Sequence, residues 1–182
     1  MAGMIDVTFS KRDMNKLQRT LQAVPKALPK VLSRALNKTA TTVRAEVSRG
    51  LKKESKMNVS VIKKAIAFTK ATYKVWVARL DVFGKRIPLV QFNARPKGKG
   101  IAYSIGKKYI QGGFIQTMPT GHRGALIRQG KARLPIHELF GPSLGIVLEK
   151  SAGMLKKATN GAGALLEKNI DAQVNLILEK GK

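Results

Sequence analysis

The apolar positions of the chain begin in alternation, pass into a long helical period, return to short alternating runs and end helical. Met4, Ile5, Val7 and Phe9 predict an opening strand over residues 4–9. Ser10 is placed as an N-cap with Asp13 three residues on, and Met14, Leu17 and Leu21 follow at helical spacing. Together they predict a first helix near residues 11–23. Pro25 and Pro29 interrupt it and suit the first turn of a new helix. Residues 29–53 then read as one long helix. Val31, Leu32, Ala35, Leu36, Thr39, Val43 and Val47 share one face, and Lys30, Arg34, Lys38, Arg44 and Lys52 share the other.

Asn58 and Ser60 are placed to cap a short helix through Val61, Ile62 and Ala65. Residues 70–80 are β-rich and roughly alternating, which predicts a strand. Residues 87–92 form a short extended segment, and residues 93–100 are too rich in Pro, Gly and charge for regular structure. Further strands are predicted over 102–105, 113–118 and 125–129, parted by Gly-rich turns. Beyond Gly141 and Pro142 the period is helical again: Val147, Met154, Leu155, Ala158, Ala162, Leu165, Leu166, Ile170, Val174 and Ile177 recur at three and four residues. Residues 160–163, Asn-Gly-Ala-Gly, either kink this helix or end a first one. The fold class is α+β, with a long N-terminal amphipathic helix and a C-terminal helix packed on a small, mostly antiparallel central sheet. One domain is expected over residues 1–182: strand and helices in 1–66, sheet in 67–140 and C-terminal helix in 141–182.

Charge changes this picture more than any other feature. The 182 residues hold 35 Lys and Arg against 10 Asp and Glu, a net charge of +25. Residues 1–90 hold 20 basic and 5 acidic side chains, residues 91–140 hold 9 and 1, and residues 141–182 hold 6 and 4. The positive charge therefore sits on the folded part and fades toward the C-terminal end. Such a field favours nucleic acid, an anionic lipid surface or acidic proteins. The long-helix stripe belongs with it, because like charges at i, i+4 cost a few tenths of a kcal/mol each and do nothing for the helix itself.

Chemistry has little to work with. Cysteine is absent and His122 and His137 are the two imidazoles, so disulfides, thiol nucleophiles and zinc centres are not expected. No apolar run approaches the roughly 18 residues of a membrane span, and residues 1–6 lack the marks of a signal peptide. Glu138 is the one carboxylate in residues 91–140, which leaves no paired acid and no complete triad. The stretches Gly98-Lys99-Gly100 and Gly121-His122-Arg123-Gly124 lack P-loop spacing, and their glycines read as turn residues at positive φ. No enzyme, cofactor or metal is expected. Aromatics are 5% of the chain, and Tyr73, Trp76, Tyr103, Tyr109 and Phe114 are assigned mostly to core packing. Nucleic-acid attraction without base readout is what remains.

Two separated motifs add to this. One runs Gly113-Phe114-Ile115-Gln116-Thr117-Met118-Pro119-Thr120-Gly121-His122-Arg123-Gly124 and on through Arg128. The other is Leu134-Pro135-Ile136-His137-Glu138-Leu139-Phe140-Gly141-Pro142-Ser143. Their order and spacing resemble the prophage minor tail protein Z family, related to the tail-completion proteins of long-tailed phages. The resemblance implies a non-enzymatic virion protein, made in the host cytoplasm, that completes the head-proximal end of a tail and joins it to the head. It implies a homo-oligomer, a ring of six copies, with tail-tube or terminator and head-connector proteins as partners, DNA in the lumen and no membrane.

Six copies would carry about +150, whereas a ring about 40 Å tall faces about 24 phosphates of duplex DNA. The remainder must meet acidic neighbours or solvent. Arg95, Lys97 and Lys99 in the Gly-rich loop are the candidates for DNA contact. The helix face of Lys30, Arg34, Lys38 and Arg44 is the competing candidate, for DNA or a subunit interface. Within the motifs, Leu134, Pro135 and Ile136 suit a sheet edge, and Gly141, Pro142 and Ser143 a fixed turn with Ser143 capping the next helix. Arg128 is expected to pair with Glu138. The alternative is a free-standing, non-specific nucleic-acid-binding protein. A third reading, a protein that lies on membranes, leaves the apolar helix faces without a packing role.

Overall fold

The structure is a computed structural model and describes residues 3–8, 15, 27–82 and 84–180. Among them are four helices and eleven short strands, so the α+β class is as the hydrophobic pattern predicts. The chain divides into two compact units, each drawn from separate stretches of sequence.

The first unit takes residues 4–47, 66–82 and 152–182. Strand β1 (Gly3–Val7) matches the predicted opening strand, while the helix expected near 11–23 lies outside the described residues. Helix α1 (Leu28–Ser55) spans about 42 Å. Its predicted apolar face is buried throughout, Val31, Leu32, Ala35, Leu36, Thr39, Val43 and Val47 included. Helix α4 (Ala152–Lys180) supplies Leu166, Ile170 and Val174 to the same core, which also holds Val7, Ala40, Ala71 and Ala78. Of the two readings of residues 160–163, an end to a first helix is corrected: α4 is continuous there. Gly161 and Gly163 lie exposed, each costing about 1 kcal/mol relative to Ala, and burial of the stripe that follows holds the helix together. The interruption falls instead at Ser151, whose N–H donates to the carbonyls of Val147 and Leu148.

Strands β2 (Ile66–Thr69) and β3 (Ala78–Val82) pair antiparallel, Ile66 opposite Val82 and Thr69 opposite Arg79, in a sheet ordered β1-β3-β2. The strand predicted over 70–80 is thereby corrected. Residues 70–77 are a loop joining β2 to β3 and only 78–80 of the predicted span are strand; Ala71, Tyr73 and Val75, which a strand would place on one face, split between the core and solvent.

The second unit holds residues 48–65 and 83–151 besides the first three. At its start, α1 ends on Lys56, which takes φ 58° and donates its N–H to the Lys52 carbonyl at 2.9 Å. This is a left-handed helix end without glycine. Asn58 then caps helix α2 (Val59–Ala65), its Oδ1 accepting the Ser60 N–H at 3.2 Å, as the sequence predicts. Strand β4 (Arg86–Pro88) leads into a 3-10 turn at Leu89–Phe92, a tighter path than the extended segment expected. Strands β5 (Arg95–Lys97), β6 (Gly100–Tyr103) and β7 (Lys108–Gln111) form one small sheet. Strands β8 (Gly113–Thr117), β9 (Arg123–Arg128) and β10 (Ile136–Glu138) form another, ordered β10-β9-β8. Strand β11 (Phe140–Ser143) pairs with β4 across a bulge and runs directly into helix α3 (Leu144–Lys150). Phe92, Leu89, Ile101, Leu51, Ile62 and Leu144 are fully buried here.

Candidate nucleic-acid interface

The expected Gly-rich loop at 93–100 is a tight hairpin. Arg95, Pro96 and Lys97 pair with Ala102, Ile101 and Gly100, and Gly98 makes the turn at φ 53°. Pro96 is tolerated because β5 is an edge strand. Alternation sends Pro96, Ile101 and Ile110 to one face, where Ile101 is fully buried, and sends Arg95 and Lys97 to the other. Both cations are exposed, as is Lys99 beside the turn.

Tyr109 completes that outer face. It stands opposite Ala102, and its ring lies across Gly100: a Cβ built on Gly100 would come 2.7 Å from the phenol oxygen and 2.8 Å from Cζ. The glycine thus makes room first for the Ile110 carbonyl and then for the ring, and is not a positive-φ residue. The ring remains 48% exposed, which corrects its assignment to core packing. Residues 95–111 hold Arg95, Lys97, Lys99, Lys107 and Lys108 and no acid. An exposed aromatic among exposed cations, on a sheet whose middle strand offers Gly and Ala, is a surface on which phosphates and sugars can lie. Sequence reasoning misses Tyr109 because it groups the scattered aromatics with the core, and only the pairing of β7 with β6 brings this ring across Gly100.

The competing candidate belongs to the other unit. Lys30, Arg34 and Lys38 are exposed at successive i, i+4 positions, about 6 Å apart along α1. Arg44 is half-buried, and its Nη2 donates to the Ile66 carbonyl at 2.9 Å, so it ties α1 to β2.

The family-type motif folds as two linked features. Strands β8 and β9 are a hairpin in which Gly113 faces Ile127 and Thr117 faces Arg123, closed by the Met118 N–H donating to the His122 carbonyl at 2.8 Å. Gly121 takes φ 81° in that turn. Gly113 and Gly124 have other work: a Cβ on Gly113 would meet Ile101 at 2.8 Å, and one on Gly124 would meet the Glu138 carboxylate at 3.2 Å. Glu138 leans over Gly124 to His122, Oε1 to Nε2 3.0 Å, and the expected Arg128–Glu138 pair does not form. Arg128 sits 4.8 Å from the centre of the Phe114 ring instead. Glu138 opposes Leu126, diagonal to both Gly124 and Arg128, and the side without a side chain accepts it.

Leu134 and Pro135 lead into β10, where Ile136 starts the edge strand, as predicted. The expected turn at Gly141–Pro142 is strand β11, and a Cβ on Gly141 would collide with the ring of Phe92. Ser143 does cap α3, its Oγ accepting the Ile146 N–H at 3.4 Å.

A cavity of about 430 Å³ in this unit is lined by Glu54, Tyr103, Ile105, Lys108, Ile146 and Lys150, and neither histidine reaches it. No cluster of three metal-ligating side chains occurs among the described residues, and no described helix is long and apolar enough to cross a membrane. No curated protein and no solved structure matches the chain. The family described as prophage minor tail protein Z matches residues 10–180, which takes in both units and both motifs. The chain belongs to that family and is a structural component of a phage tail.

Proposed function

We propose that this tail protein completes the head-proximal end of the tail and joins it to the head, without catalysis, as one subunit of a six-copy ring around the DNA path. Each copy turns its β5–β6 hairpin toward the lumen. The observation that carries this reading is the hairpin itself: Arg95, Lys97 and Lys99 stand exposed on a fixed turn within an acid-free stretch, beside the exposed ring of Tyr109. Exposed Lys and Arg attract phosphates without reading bases, which suits a protein that holds passing DNA.

The charge that DNA in a channel leaves unmatched serves acidic surfaces of the tail tube and the head connector, which makes assembly weaken with salt. Particles carrying Lys97→Ala and Lys99→Ala test the hairpin's part. They are expected to retain less DNA while the purified subunit unfolds at its usual temperature. Unchanged retention would contradict the assignment of the hairpin to DNA.

A further inference from the structure

The loop between β2 and β3, residues 70–77, is fastened at both ends and carries apolar side chains outward. Asn37 on α1 pairs with Ala71 in both directions, Nδ2 donating to its carbonyl at 3.0 Å and Oδ1 accepting its N–H at 2.8 Å. Ala71 is buried, and Trp76 packs against the same core at the other end. Inside the loop, the Thr72 N–H donates to the Val75 carbonyl at 2.9 Å, and the Val75 N–H donates to Thr72 Oγ1 at 3.1 Å. Trp76 Nε1 donates to the Tyr73 carbonyl at 3.0 Å.

Between these anchors Tyr73 is 61% exposed and Val75 58%. Neither contributes to the core beneath, and the loop's internal hydrogen bonds do not need their side chains. A tip already ordered loses little freedom on docking, which is the property of an interface anchor. Lys70 and Lys74 flank the two side chains, and residues 69–78 hold no acid.

We propose that the Tyr73-Lys74-Val75 tip docks into an apolar cleft rimmed by carboxylates on a different protein of the particle. Charge selects this occupant. A second copy carries 10 acidic against 35 basic side chains, so whatever contacts hold the copies of a ring together, it offers few carboxylates to face Lys70 and Lys74. Nucleic acid offers Val75 no apolar partner, and two side chains are too little apolar surface to hold a lipid bilayer. The contact is separate from the hairpin and does not depend on its binding DNA.

The test places a photo-crosslinking benzoylphenylalanine at position 73, and in a second variant at position 75, in a prophage that makes this chain. Adducts are then mapped in purified particles. The expected adduct is with a different virion protein, at a segment bearing both apolar and acidic residues. Its yield should fall about tenfold with Lys70→Glu and Lys74→Glu together and persist with Lys70→Arg and Lys74→Arg, the change that loss of a central interface contact produces. An adduct with a second copy, with DNA or with lipid would overturn the proposal. So would no adduct at either position, or a yield indifferent to charge reversal. Because both positions point to solvent, a shifted unfolding midpoint is not expected, and circular dichroism of the purified variants checks it.

Discussion

Asn169 and Thr39, 130 residues apart in the chain, meet inside the helical unit: the Asn169 amide donates to the Thr39 hydroxyl at 2.9 Å, and both residues are buried. The bond fixes how α4 lies along α1, since sliding either helix by a turn would strand two polar groups in the core. Asn169→Ala is expected to lower stability by about 2 kcal/mol in urea denaturation. Asn169→Leu combined with Thr39→Val should recover much of that loss. A double variant as unstable as the sum of the singles would contradict the pairing.

This bond also marks how far the sequence reaches. Thr39 was legible as one position on an apolar stripe, and the stripe was right along its whole length, because helical period alone decides which side of α1 is buried. Its partner was not legible, since nothing local in residues 152–180 says which polar side chain will cross to α1. The same limit explains Arg128. Strand pairing sets Glu138 within reach of both Arg128 and His122, and only the missing side chain at Gly124 decides between them. The first strand and turn of the hairpin, within residues 93–100, read as a loop in the sequence because Pro and Gly normally exclude a ladder, and an edge strand with a glycine turn is the arrangement that admits both. The basic residues themselves were visible from composition. That Tyr109 joins them depends on a ring lying across a glycine, which no periodicity reveals.

Gly141 has no room for a methyl group against the Phe92 ring. Gly141→Ala is therefore expected to cost about 1–3 kcal/mol by overpacking. Phe92→Leu on the same background should return part of it, whereas each change alone is destabilising. Thermal unfolding of the four proteins checks the coupling.

Gly161 and Gly163 present the opposite case. Both are helical, exposed and open around the Cβ position. Gly161→Ala and Gly163→Ala should each stabilise the protein by about 0.5–1 kcal/mol, mainly through the unfolded chain. A loss of stability in either variant would show that the backbone there needs glycine.

On the hairpin, each phosphate contact removed lowers the salt dependence of DNA binding by about 0.9 in the log–log slope for duplex DNA. Lys97→Ala with Lys99→Ala should therefore reduce the slope by about 2, equally for unrelated sequences. Tyr109→Ala should weaken binding with little change in slope, since its ring carries no charge. Fluorescence anisotropy across a range of salt separates the two effects.

The central claim is a place in the particle: that this chain closes the tail and joins it to the head. The most direct measurement deletes its gene from the producing prophage, induces it, and images the lysate by electron microscopy beside an infectious titre. Full heads apart from tails that are free or over-long, with the titre lost and restored by the gene in trans, is the result the account predicts. Normally joined particles with a normal titre would contradict it.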